Sequence, residues 1–282
     1  MNTNSNTYTV IYSIGLVVIV AAVLAFVAKF LQPMQEANVK KDTISQILTA
    51  ADIEYTDDNV LDVYKENIDK AILVKVDGEN WDKVLDINAC EIYTNSQLKE
   101  QTVAADADKM LPVYIFKNGI TVIPCYGAGL WGPVWGYIGL ESDLETIKIA
   151  CFGHKGETPG LGAKITDEPA VFANLFKGKK VGKGDVKFEV KKGADPKGTS
   201  EVNAISGATI TSTAAGNMVN QWFGFYQNYF AKNTSVKQAE DTAEVDPQEP
   251  VVTTDEEPTA VETEAAEATV EVVEVVEETP AN

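Results

Sequence analysis

Nineteen consecutive residues without a charge, Val10 to Ala28 (VIYSIGLVVIVAAVLAFVA), restrict what this chain can fold into more than any other segment. As a helix rising about 1.5 Å per residue, such a run crosses about 30 Å of hydrocarbon. It predicts one membrane-spanning helix over about residues 10–31, surrounded by lipid, within an N-terminal segment 1–33. A cleaved signal peptide is the competing reading. The apolar run is longer than a signal h-region and nothing basic precedes it, which favours a retained anchor.

The other end differs in kind. From Gln238 to Asn282 there are fifteen acidic residues, no basic one, and prolines at 247, 250, 258 and 280. With almost no aromatic surface to bury, such a segment cannot offset the entropy of folding, so residues 234–282 are expected to form a disordered acidic tail. The full chain carries −19, and removing the −15 of this stretch leaves −4 for the rest. The acidic character therefore belongs to the tail.

Residues 34–233 have the composition of a single α+β domain with a mainly antiparallel sheet and flanking helices. A polar helix from about Glu36 to Ala51 should lead away from the membrane. Strand-like runs follow at Ala71–Val76, Leu111–Phe116, Ile120–Cys125, Val134–Leu140, Thr146–Phe152 and Val186–Val190, with a helical segment near Pro169–Phe176. Lys117-Asn118-Gly119 signals a tight hairpin. A closing helix from about Ile210 to Lys232 carries Met218, Val219, Trp222, Phe223, Phe225, Tyr226, Tyr229 and Phe230, a density of apolar surface that should pack on the sheet.

Composition also excludes. All 23 basic residues are Lys and they form no aromatic-rich groove, which argues against a nucleic-acid partner. Cys90, Cys125 and Cys151 lie far apart without CxxC spacing, so no metal site is expected. They are either buried thiols or one disulfide with an odd thiol. His154 is the single histidine, which sets aside a Ser-His-Asp triad or a multi-histidine metal centre.

The candidate chemistry lies in Ser206-Gly207-Ala208-Thr209, where an irregular segment turns into a helix beside a row of hydroxyls. Glycine lets the backbone approach a ligand, and the free N–H groups of a helix start suit a phosphate. Ordinary helix capping by Ser206 or Thr209 is the plainer alternative. No P-loop lysine is present, which excludes a nucleoside triphosphatase of that type. Two further glycine-rich segments follow strand-like runs: Gly129-Leu130-Trp131-Gly132 and Gly156-Glu157-Thr158-Pro159-Gly160-Leu161-Gly162. They are sharp turns, or surfaces that admit a flat ring with Trp131 or Leu161 over its face.

Ser-Gly-Ala-Thr is similar to the flavin-attachment motif of the FMN-binding domain family. Together with the anchor and the two glycine loops, in the same order, it resembles the C-subunit family of Na+-translocating NADH:quinone oxidoreductases. The resemblance implies FMN held covalently by a phosphoester to Thr209, with Thr211 as the rival hydroxyl. It also implies a flavin site bordered by Ser206, Gly207, Ala208, Glu157, Thr158, Leu161, Gly162 and Trp131. The Asp usual three residues before the Ser is Asn203 here.

By the same resemblance a flavin transferase matures the chain, since a threonine hydroxyl is a poor nucleophile unaided. The partners are the other subunits of a sodium-pumping respiratory complex. Lys29, Lys40 and Lys41 follow the apolar run, and on charge alone they would hold the domain in the cytoplasm. The family places it on the outer face of the bacterial inner membrane, and long domains translocate largely regardless of charge, so the outer face is expected. The alternatives are the flavin subunit of the related Rnf complex and a non-redox membrane-anchored binding protein.

Overall fold

A computed structural model describes residues 6–181, 187–195 and 198–243. The apolar run is helical, but α1 does not end at Pro33; it is one helix from Asn6 to Ala50. A proline in a helix interior removes one backbone donor and crowds the preceding turn. Across this position the helix carries a run of surface side-chain bonds, Lys29 Nζ donating to Gln32 Oε1 (3.1 Å) and Gln32 Nε2 to Glu36 Oε1 (2.7 Å). The span and the expected polar helix are therefore a single rod. Its N-terminal part is long and apolar enough to cross a membrane and is exposed along its length. Near its C-terminal end Thr43, Ile44, Ile47, Leu48 and Ala50 are buried.

The helix α2 (Val60–Asn67) leads into β1 (Ile68–Val74) and β2 (Asn80–Val84). After α3 (Asn95–Val103) come β3 (Leu111–Phe116), β4 (Thr121–Ala128), β5 (Pro133–Leu140) and β6 (Ile147–His154). These six strands form one antiparallel sheet in the order β2-β1-β3-β4-β5-β6. The β3–β4 turn is the expected tight one: Gly119 has φ +85°, a conformation costly for any side chain, and its N–H donates to Phe116 O. The short α4 (Lys164–Asp167), β7 (Glu189–Lys191), β8 (Glu201–Asn203) and α5 (Thr209–Ala243) complete the described elements, with β7 and β8 paired in parallel.

Alternation along the strands sends neighbouring side chains to opposite faces, and both faces are covered. On one, Trp135 Nε1 donates to Gln46 Oε1 of α1 (2.8 Å), and Gly139 lies so close to the Ala50 carbonyl that a Cβ there would overlap it. On the other, Gly127 of β4 packs under Met218 of α5. Met218, Val219, Trp222, Phe223, Tyr226, Tyr229 and Phe230 are all buried along this helix. Each such side chain contributes roughly 1.5–3 kcal/mol on burial. The polar tips are satisfied too: Trp222 Nε1 donates to Tyr126 O (2.7 Å) and the Tyr226 hydroxyl to Pro112 O (2.8 Å). Trp222 is thus a core residue.

Several expectations need correction. The helix near Pro169 is a pair of 3-10 turns, Pro169–Val171 and Ala173–Phe176, because Glu168 before the proline (φ −127°, ψ 76°) and Phe172 between the turns (φ −140°) leave helical geometry. The strand expected at Val186–Val190 is displaced to Glu189–Lys191, and Val186 lies outside the described residues. Helix α5 passes Lys232 and continues to Ala243, into the segment expected to be disordered, since no Gly or Pro interrupts it there. The remainder of the acidic tail lies outside the described residues. The three cysteines are free thiols, with Cys90 and Cys125 buried and Cys151 half-buried, so the disulfide alternative does not hold.

Candidate functional site

The three glycine-rich segments, distant in sequence, meet at the start of α5. The turn Ile205–Ala208 is closed by Ala208 N–H on Ile205 O (3.0 Å), with Gly207 at φ +80°. Ser212, fully buried one turn into the helix, holds this turn from behind. Its Oγ accepts from Ile205 N–H (3.1 Å) and donates to Ala208 O (2.8 Å). The first intrahelical backbone bond runs from Ser212 N–H to Ala208 O. By helix geometry the N–H groups of Thr209, Ile210 and Thr211 then have no intrahelical acceptor and point out of the helix start, where an anion is favoured.

Thr209 is the first residue of α5 and half-buried, while Ser206 and Gly207 are exposed and Ala208 is buried. Among the described residues no side chain hydrogen-bonds the Thr209 hydroxyl. Thr211 differs sharply. It is 1% exposed and its hydroxyl donates to Glu157 Oε2 (2.7 Å). Sequence reasoning left the two threonines as rivals; the fold gives them different surroundings.

Glu157 is the junction. It is 4% exposed; Oε1 accepts from the backbone N–H of Trp131 (2.9 Å) and Oε2 from Thr211. Burial pushes its carboxyl pKa up, but donors at Trp131, Thr211, Leu130 and Gly132 outweigh burial and hold it below the usual carboxylate value. Glycines press on both oxygens. A Cβ at Gly129 would stand 2.5 Å from Oε1 and one at Gly162 2.6 Å from Oε2. His154 is a loop residue satisfied within the chain, its Nδ1 accepting from Glu157 N–H (3.3 Å).

Apolar surface collects around this junction without being buried. Trp131 is 70% exposed, Leu161 44% and Ile210 63%. Leu161 leans over the turn, its Cδ2 3.0 Å from where a Gly207 Cβ would be. Thr158 is exposed, and its carbonyl accepts from Leu161 and Ala163 (both 3.1 Å), folding that loop back on itself. Along the Trp131 hairpin runs an open groove of about 670 Å³, lined also by Lys99, Thr102, Val103 and Gln221. Asn203 is exposed and outside this cluster; its Oδ1 accepts from Gly193 N–H (2.9 Å) and shapes the preceding turn.

Sequence reasoning included Ile210 and Ser212 in the stretch 205–212 but gave them no role, and it missed the α3 wall of the groove. Ile210 had one signal, an apolar side chain at a helix position flanked by hydroxyls.

Comparison with known proteins bears on this surface directly. Residues 129–224, from the Trp131 hairpin into α5, match the FMN-binding domain family. The crystal structure of the C subunit of the Na(+)-translocating NADH-quinone reductase from Parabacteroides distasonis is 35% identical, with a TM-score of 0.60 over 71% of this chain and 96% of that one. The chain belongs to that C-subunit family.

Other members agree. NqrC from Shewanella oneidensis is 25% identical with a TM-score of 0.58, over 71% of this chain and 99% of that one. The C subunit from Haemophilus ducreyi is 28% identical over 235 residues, 78% of this chain and 90% of that protein. The chain is accordingly an FMN-binding flavoprotein subunit of the Na+-translocating NADH-quinone reductase type, with an N-terminal helix suited to anchoring it in a membrane.

The residues present fit such a cofactor: a glycine turn and free N–H groups at a helix start for a phosphate, and exposed Trp131, Leu161 and Ile210 beside an open groove for an apolar ring.

Proposed function

We propose that the chain carries FMN covalently through a phosphoester on Thr209 and relays electrons between other subunits of a sodium-translocating NADH-quinone reductase. The observation that carries the attachment site is the contrast between the threonines. The Thr209 hydroxyl lies at the mouth of the helix start, whereas that of Thr211 is buried and committed to Glu157.

The attachment needs an external catalyst, because among the described residues no base contacts Thr209. A flavin transferase using FAD would form the Thr209 Oγ–P bond as the pyrophosphate P–O bond breaks, the hydroxyl proton leaving to the transferase and AMP departing. When bound, FMN supplies reversible electron acceptance and release. The chain's own residues do the rest. The helix-start N–H groups and Gly207 receive the phosphate, Trp131 and Leu161 cover apolar ring surface, and the buried Glu157 carboxylate opposes added negative charge nearby.

The same reading places the domain, taken as residues 34–233, on the outer face of the bacterial inner membrane, with residues 10–31 in lipid. A protease-cleavable reporter fused after Asn282 should be cut in intact spheroplasts; protection until lysis would reverse the orientation. For the site, Thr209→Val should abolish in-gel flavin fluorescence of the denatured chain while Thr211→Val retains it. The opposite result would move the attachment to Thr211.

A further inference from the structure

Both oxygens of Glu157 are engaged by the chain itself. One faces the Trp131 backbone and the other the Thr211 hydroxyl, 54 residues further along. The carboxylate therefore joins three separate segments: the hairpin after β4, the loop after β6 and the first turn of α5. The packing around it leaves no slack. Gly129 and Gly162 each stand where a Cβ would crowd one of its oxygens, and the one at Gly162 would also lie 2.8 Å from Thr211 Oγ1. Any displacement of the helix start relative to the hairpin must break a hydrogen bond or open a void at a buried charge, and a buried charge that loses a partner is strongly disfavoured.

We propose that Glu157 and Thr211 are positioning residues for the flavin: their hydrogen bond fixes the start of α5, which bears Thr209, against the hairpin that bears Trp131. The inference rests on attachment at Thr209 and deepens it by giving Thr211 its own role. The phosphate end and the ring end of one ligand are received by different segments, and a single carboxylate holds those segments in register. A tethered cofactor cannot leave when its ring loosens, so this linkage sets how the ring is held rather than whether it stays.

The test uses the full-length chain co-expressed with a flavin transferase, with two readouts: covalent flavin by in-gel fluorescence, and induced visible circular dichroism of the attached flavin in the folded protein. Thr211→Val is expected to keep its covalent flavin and lose most of the induced signal. Thr211→Ser, which retains the hydroxyl, is expected to restore it. Glu157→Gln keeps an acceptor for Trp131 N–H and should lie between.

An unchanged visible signal in Thr211→Val, or no induced signal in the unsubstituted protein, overturns the proposal. Loss of covalent flavin in Thr211→Val but not in Thr209→Val overturns the attachment reading as well. Retained flavin in both valine variants overturns that reading and, with it, the proposal that rests on it. If both valine variants lose flavin, far-ultraviolet dichroism decides the meaning. A folded Thr211→Val whose loading Thr211→Ser restores supports positioning already at the attachment step. An unfolded one leaves Thr211→Ser and Glu157→Gln to decide, and Glu157→Gln dichroism equal to that of the unsubstituted protein then overturns the proposal.

Discussion

The indole of Trp222 donates to the carbonyl of Tyr126 at 2.7 Å, tying the middle of the closing helix to the end of the strand that feeds the Trp131 hairpin. Thr211 and Trp222 are eleven residues apart, about 16.5 Å along an α-helix, so this bond and the Thr211–Glu157 bond secure the helix at two well-separated points.

Trp222→Phe keeps most of the ring packing and removes the donor, leaving a buried carbonyl without this partner. The expected cost is about 1–3 kcal/mol. Urea denaturation should show a lower midpoint with an unchanged slope, since the buried surface is nearly conserved.

Gly132 meets the carbonyl of Lys155 so closely that a Cβ would overlap it, so Gly132→Ala forces the two glycine loops apart. Overpacking of this kind costs about 1–3 kcal/mol. Because the strain lies at the site, flavin loading should fall more than the denaturation midpoint. Gly160→Ala supplies the contrast: it has no neighbour within 4 Å, though its φ of +73° carries a modest backbone penalty.

The fold was legible where local chemistry is strong. The apolar run, the Lys117-Asn118-Gly119 turn and the β3 to β6 runs announce themselves through composition and alternation. Strand β2 does not: its residues are exposed on both faces except for a half-buried Trp81, so no alternation marks it. Helix α3 buries only Leu98 and Gln101, too few to impose a period. At the site, the motifs pointed to three segments that the fold brings together, but not to the contacts that join them. The Glu157–Thr211 contact is a product of tertiary folding, and nothing in either segment's own spacing signals it.

Acid should expose the Glu157 link. Its folded pKa lies below its unfolded value, so its contribution to stability is fully present above the unfolded carboxylate range, near 4.3, and is lost as pH falls through the depressed folded value. Glu91 and Asp143 are shifted in the same direction and add to the total. The difference between the unsubstituted protein and Glu157→Gln isolates this residue. That difference should be constant between pH 6 and 8 and shrink below about pH 4, as followed by chemical denaturation across pH.

Thiol chemistry should follow burial. Desolvation raises all three cysteines, with Cys151 pushed up to about 11 and Cys125 higher still. At pH 8 a disulfide reagent should react slowly with the native chain and rapidly with three thiols in denaturant, in line with three free cysteines. Fewer than three under non-reducing denaturation would reveal a disulfide.

The central claim concerns a single oxygen atom, and the direct measurement is the mass of the flavin-bearing peptide. With no arginine in the chain, cleavage at lysine yields residues 198–232, which contain both Thr209 and Thr211. Fragment ions must therefore divide the two. The account predicts an added mass of FMN less one water on fragments that include Thr209 and exclude Thr211. The same increment on fragments beginning at Ile210, or no increment from a chain matured with an active transferase, would contradict it.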